Sequence, residues 1–159
     1  MIKVVPYSQA FQHDVIELIL SIQREFGFEI GVEDQPDLLD VEGFYQTGAG
    51  GFWVATAGEE PVGTIALRDI GERQGALRKM FVKAAYRGRE HEAAGTLLST
   101  LLKSASTSGI EEIYLGTTEK FLAAHRFYEK HGFVRVPANE LPTRFPRMAL
   151  DTRFYKLTL

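Results

Sequence analysis

Arg78, Lys79, Lys83, Arg87 and Arg89 gather five of the chain's 18 Lys and Arg residues into one short stretch. Apolar, strand-like residues lead into the turn Arg87-Gly88-Arg89, and a helix-patterned segment follows at once. A helix N-terminus offers unpaired backbone N–H groups and the positive end of the helix dipole. Cations in the turn before it therefore suit an anion, by preference a phosphate or pyrophosphate. Glu90 and Glu92 stand in the same turn, where a bound phosphate would repel them. The plain alternative is a solvated basic loop in front of an ordinary helix. Neither G-x-x-x-x-G-K-S/T nor G-x-G-x-x-G occurs, so the fingerprints of nucleoside triphosphate and dinucleotide sites are missing.

A second constellation is "AAHRFYEKHGF", Ala123 to Phe133. It places Tyr128 on a helix that follows a central strand, so its phenol can reach back toward the strand ends where ligands bind in such sheets. Taken alone, an aromatic residue at helical spacing is a core residue. His91, His125 and His131 do not make a metal site: His125 and His131 are poorly spaced on one helix and His91 belongs to another element. One turn before Tyr128, His125 is either an interior histidine or part of a proton relay.

These groups must be held by one modest core. With 159 residues, 45% hydrophobic and 25% charged, the chain reads as a single domain over residues 1–159. Its net charge of −3 argues against a global grip on nucleic acid or an anionic membrane. The start lacks a charged leader with a long apolar segment, and the apolar helix "DVIELILSIQREF" is broken by charges, so a soluble, cytoplasmic protein is expected. Cysteine is absent, which removes disulfides, thiolate metal sites and a cysteine acyl-enzyme from consideration.

Residues 2 to 7 read as a short strand, and Val15, Leu18, Ile19, Ile22 and Phe26 as one face of a helix ended by Gly27. A variable loop follows, with a short helix around Leu38 to Phe44. "FWVATA" and "PVGTIALRDI" predict a hairpin turning at Gly58, and "GALRKMFV" another strand after a loop around Gly71 to Gly75. Ala94, Leu97, Leu98, Leu101, Leu102 and Ala105 form the stripe of the helix after the basic turn, which must pack on a sheet. "IEEIYLGTT" is a buried strand. Thr117 or Thr118 is expected to cap the helix "EKFLAAHRFYEKH", and "FVRV" and "TRFYKLTL" close the chain around a loop containing Pro137, Pro142 and Pro146. The order predicts a mixed α/β (α+β) domain: a mostly antiparallel sheet with a parallel strand–helix–strand unit at its centre, flanked by helices.

From about Phe52 to Phe133 this order resembles the GNAT superfamily of acetyl-coenzyme A dependent N-acetyltransferases. The family's signature A-x-x-x-Y-E-K-x-G-F is matched by Ala124, Tyr128, Glu129, Lys130, Gly132 and Phe133. Its pyrophosphate loop, Q/R-x-x-G-x-G/A, is matched by Arg89 to Ala94 except that Glu92 replaces the first Gly, and the loop is two residues longer than the common form. Phe121 stands where members often carry Asn.

The resemblance implies acetyl-coenzyme A as co-substrate. Arg87, Gly88, Arg89, Ala93, Ala94, Gly95 and Thr96 would surround the pyrophosphate, and the backbone of Met80, Phe81 and Val82 would hold the pantetheine like an added strand. The Phe81 or Val82 N–H would polarise the thioester, and Tyr128 would protonate the departing thiolate. An amine with a pKa of about 10 must first lose a proton. Glu119, Glu72 and Asp69 are the carboxylates considered for this role, with Glu119 preferred, although an exposed acid is the ordinary state of each. The implied partner is a small-molecule or peptide amine, with amino acid, polyamine, antibiotic and peptide acceptors all open. Residues 26 to 50 and 137 to 148 are expected to wall its site. A homodimer is compatible with the chain. The rival readings are a non-catalytic module that binds coenzyme A or a protein partner, and a small anion-binding regulator.

Overall fold

The computed structural model describes residues 1–88 and 90–159. Among the described residues seven strands form one sheet in the order β1-β2-β3-β4-β5-β7-β6. They are β1 (Ile2–Pro6), β2 (Gly51–Ala57), β3 (Glu60–Gly71), β4 (Gln74–Val82), β5 (Glu112–Thr117), β6 (Val134–Val136) and β7 (Arg153–Thr158). The helices are α1 (Gln12–Glu25), the single turn α2 (Val41–Phe44), α3 (Ala93–Thr107) and α4 (Leu122–Lys130).

Side chains alternate across a strand, and both faces of β2 are covered, so it is buried from Gly51 to Thr56. Phe52 and Val54 pack with Val15 and Ile19 of α1 on one face of the sheet. Trp53 and Ala55 pack with Leu97, Leu98 and Leu101 of α3 on the other. The sheet therefore sits between two helical layers, and each fully buried Leu on the α3 stripe contributes roughly 1.5–3 kcal/mol of apolar burial.

All strand pairs are antiparallel except β4 with β5, which run parallel. That one pairing is short: Gln74, Gly75 and Ala76 meet Glu112, Ile113 and Tyr114, and there it stops. β4 continues to Val82 and β5 to Thr117 without each other, so the sheet splays open between them. The expected parallel unit is present, but it holds the two halves of the sheet together only at one end.

Three local expectations need correction. The loop around Gly71 to Gly75 is a two-residue turn, because β3 runs to Gly71 and β4 starts at Gln74. Glu72 and Arg73 both take left-handed backbone there, at φ 54° and 60°, as such a hairpin turn demands. The Arg73 carbonyl accepts the Glu111 N–H at 2.8 Å, and this contact helps hold the unfavourable conformation. α4 begins at Leu122, three residues later than the sequence suggests, with Phe121 as an N-cap that gives no side-chain bond. The Thr118 hydroxyl instead accepts the Lys120 N–H, which makes a turn before the helix. The short helix around Leu38 to Phe44 is split into a 3-10 turn, Pro36–Leu39, and α2.

Candidate active site

The splay opens into a cavity of about 880 Å³, with β4 from Leu77 to Val82 on one side and the end of β5 with α4 on the other. A bulge sets the path of β4. Thr64 pairs with Phe81 and Ala66 with Arg78, so Lys79 and Met80 together face Ile65. Lys79 pays for the extra residue with a φ of 54°, and the Thr64 hydroxyl donates to its carbonyl at 2.7 Å. Past the bulge the Lys83 N–H donates to Val62 of β3. The alternation of backbone groups along a strand then turns Val82, and before it Met80, toward the cleft, with Phe81 toward β3.

Met80, Phe81, Val82, Arg87, Gly88 and Ala94 all line the cavity. Gly88 has a φ of 100°, which only glycine adopts easily. Arg87 is already engaged: its Nε donates to the Val82 carbonyl at 2.7 Å and its two Nη atoms to Glu25 of α1 at 2.6 and 2.9 Å. Arg89 lies outside the described residues. Ala93 is buried and lies, with Gly95 and Thr96, off the cavity wall. Ala93, Ala94 and Gly95 are the first three residues of α3, where helical geometry leaves N–H groups without a partner in the helix. Thr96 directs both its N–H and its hydroxyl to the Glu92 carbonyl, at 2.9 and 2.8 Å. Glu90 and Glu92 are exposed. Glu92 holds a φ of 49°, so it takes the left-handed geometry that a glycine would take freely.

Tyr128 lines the cavity and is only 5% exposed. Burial pushes its phenol far above the usual range, so it carries its proton at every working pH. His125, one turn earlier, does not line the cavity. Its Nε2 lies 2.8 Å from the Thr118 carbonyl, so that nitrogen carries the proton, and the ring fastens the β5–α4 turn. Among the described residues no group of three His, Asp or Glu side chains is placed to hold a metal ion. Phe121 meets Phe26 edge-on at 4.9 Å and Phe28 at a tilt at 5.7 Å between centroids, giving this wall an apolar surface.

The three carboxylates considered as base lie elsewhere. Glu119 is exposed and pairs with Arg153 at 3.2 Å, off the cavity wall. Asp69 accepts the Ala49 and Gly71 N–H groups at 3.0 and 2.9 Å and so holds a loop in place. Glu72 sits at the tip of its hairpin. The acids that do line the cavity are Asp34 and Asp151. Asp34 is exposed, with an oxygen accepting the Gly31 N–H. Asp151 is the more enclosed, and desolvation raises its pKa. Its carboxylate lies so close to β5 that a Cβ on Gly116 would stand 2.5 Å from Oδ2. That glycine inside a buried strand was the one sequence signal of a group approaching the backbone.

Spacing also gave no sign of the polar floor of the site. The Gln23 and Gln35 amides exchange two hydrogen bonds, at 3.0 and 2.9 Å. Lys79 donates to Gln35 at 2.6 Å and lies 3.5 Å from Asp37, which accepts the Tyr45 hydroxyl at 2.6 Å. Burial pushes the Lys79 ammonium down to about 8, against the pull of Asp37 in the other direction.

A splayed mixed sheet, a cleft edge of unpaired strand, a helix N-terminus beside it and a buried phenol across from it define an acyl-transfer class of fold, and the comparisons agree. The sequence model of the acetyltransferase (GNAT) family matches residues 16–133. The crystal structure of a GNAT-family acetyltransferase from Staphylococcus aureus Mu50 superposes with a TM-score of 0.94 at 37% identity, covering 99% of both chains. An acetyltransferase from Streptococcus agalactiae also reaches 0.94, at 30% identity over 99% of this chain and 98% of that one. The N-acetylaspartate synthetase of Danio rerio is 34% identical over 77% of this chain and 47% of its own length. The chain thus spans about half the length of the curated relatives it matches. It belongs to the acetyltransferase (GNAT) family.

Proposed function

We propose that this protein moves the acetyl group of acetyl-coenzyme A to an amine by direct attack. The observation that carries this reading is the cavity itself, which joins the free edge of β4, the start of α3 and Tyr128 in one space. Acetyl-coenzyme A fits that space in parts. Its pantetheine would lie along Met80 to Val82 and its pyrophosphate at Gly88 and the first amides of α3. Arg87 would join them only by loosening its bonds to Glu25. Bound there, the cofactor supplies the activated acetyl thioester. The Val82 and Met80 N–H groups are the donors that would stabilise the developing oxyanion. Tyr128, proton-bearing throughout, gives its proton to the leaving sulfur. With no cysteine in the chain, the amine attacks without a cysteine acyl-enzyme stage.

Glu92 and Phe121, standing where the family pattern has Gly and often Asn, favour one second reading, a domain that binds coenzyme A without turning it over. Thiol release from acetyl-coenzyme A with a panel of amines separates the two. Several relatives are named for N-acetylaspartate, so amino acids belong in that panel beside polyamines, antibiotics and peptide amines. Thiol release that depends on an amine supports the enzyme. Coenzyme A binding with no amine-dependent release would leave only the binding module.

A further inference from the structure

Two opposite charges, Arg78 and Asp151, line the cavity without pairing. Arg78 lies on β4 immediately before the bulge. Its guanidinium touches the Met148 sulfur at 3.3 Å and stands over the Phe44 and Tyr45 rings at 5.4 and 5.9 Å. Among the described residues it forms no ion pair, although a guanidinium carries five N–H donors. A sulfur and two ring faces leave most of those donors free for an oxygen anion. Of the other cations lining the cavity, Lys79 is committed to Asp37 and Gln35 and Arg87 to Glu25, while Lys120 stands over the Phe28 ring at 4.6 Å, on the far wall from Arg78.

Asp151 reaches the same cavity from the loop before β7. One oxygen accepts the Met148 N–H at 2.9 Å, and the neighbouring Thr152 N–H is fixed to Thr117 of β5 at 2.9 Å. Its carboxylate is thus held still, against Gly116. The charged groups that face it are Arg78 from β4 and Arg147 from its own loop.

A half-buried cation and a half-buried carboxylate that do not meet present a fixed dipole, and a ligand with an ammonium and a carboxylate of its own satisfies both ends. We propose that the acceptor is an amino acid or a related amine bearing a carboxylate, its carboxylate held by Arg78 and its ammonium delivered to Asp151. This deepens the transferase reading and rests on it. The ammonium passes one proton to the Asp151 carboxylate, which later sheds it to solvent. The freed amine forms the C–N bond at the thioester carbon and the C–S bond breaks. Tyr128 gives its proton to the sulfur, and the second proton leaving the nitrogen restores Tyr128. One proton is released per acetyl group moved.

The test measures thiol release with α-amino acids and with the carboxamide of each. In the wild type, kcat/KM for the acids should exceed that for the amides by about tenfold or more, since a site built for a charged group rejects the analogue lacking it. Arg78→Gln should erase that preference while coenzyme A binding and the melting temperature stay as they were. Asp151→Asn keeps an oxygen for the Met148 N–H, so the loop is preserved. It should lower kcat by about 10²-fold at neutral pH, and the deficit should shrink as pH climbs past the pKa of the acceptor amine. Equal use of acids and amides by the wild type, a rate loss in Arg78→Gln that is the same for both, or an Asp151→Asn deficit that ignores pH each overturns the proposal. The wild-type comparison does so without any variant that might fail to fold. Thiol release only with amines that lack a carboxylate overturns this inference and leaves the transferase standing. No release with any amine removes both.

Discussion

Tyr128 is surrounded by aromatic rings, with Phe133 at 5.5 Å, Phe127 at 5.8 Å and Tyr155 at 6.0 Å, so its ring stays fixed if the hydroxyl is deleted. Tyr128→Phe should therefore lower kcat by about 10²-fold and leave coenzyme A affinity within error, as steady-state kinetics and calorimetry would show. Glu92 presents the opposite case, a side chain in exposed space and a backbone under strain. A left-handed non-glycine residue costs roughly 1–2 kcal/mol, and glycine also lets phosphate come closer. Glu92→Gly should raise chemical-denaturation stability by up to about 1 kcal/mol and tighten coenzyme A binding or leave it unchanged. Lys79 carries a pH signature of its own. Its folded pKa of about 8 lies below the ordinary lysine value of 10.5, so between these values the unfolded chain binds more protons. Its destabilising effect is complete below about pH 8 and fades as pH rises toward 10.5. Relative to Lys79→Gln, the wild type should gain on the order of 3 kcal/mol across that window, read from urea midpoints at each pH.

At the scale of elements, the hairpin between β3 and β4 and the stripe on α3 make contrasting predictions. Glu72 and Arg73 occupy a turn that suits Asn-Gly, so replacing the pair by Asn-Gly should raise the thermal midpoint, with a gain of about 1 kcal/mol set against the lost Arg73–Glu111 contact. Leu101 is fully buried between α3 and the sheet, and Leu101→Ala should cost about 2–5 kcal/mol by denaturant titration. These two elements differ in how openly the sequence announces them. The α3 stripe recurs at 3.6-residue spacing because one helix face meets one sheet, and the periodicity records it. The tight turn was hidden because Glu and Arg carry no local preference for it; contacts distant in sequence hold it there. α4 starts later than its sequence pattern suggests for a similar reason. Thr118 does make a hydrogen bond, but to a turn residue instead of a helix, and residue type alone does not tell the two apart. In the site, Tyr128 was visible through its motif. Arg78 and Asp151 are brought together only by the fold, across the splay and a long loop, so no local spacing could join them.

For the molecule as a whole, the decisive feature is that the two halves of the sheet are joined along only three residue pairs. A cofactor lying between β4 and β5 would complete the missing contacts and hold the folded state. Coenzyme A at 100 times its Kd should add about 2.7 kcal/mol of stability. In hydrogen exchange, protection should appear on Met80 and Val82, while Phe81, facing β3, changes less. The splay has a further cost when the site is empty. The open edge of β4 from Leu77 to Val82, paired with β3 only on its other side, is a template on which another extended chain can grow, and such edges are where folded proteins begin to associate wrongly. Arg78 interrupts its apolar sequence with an unpaired charge, one of the ways proteins blunt an edge. Light scattering during storage at high concentration should then show slower growth of particles with coenzyme A present than without it, which makes the co-substrate a guard against aggregation as well as a source of acetyl groups.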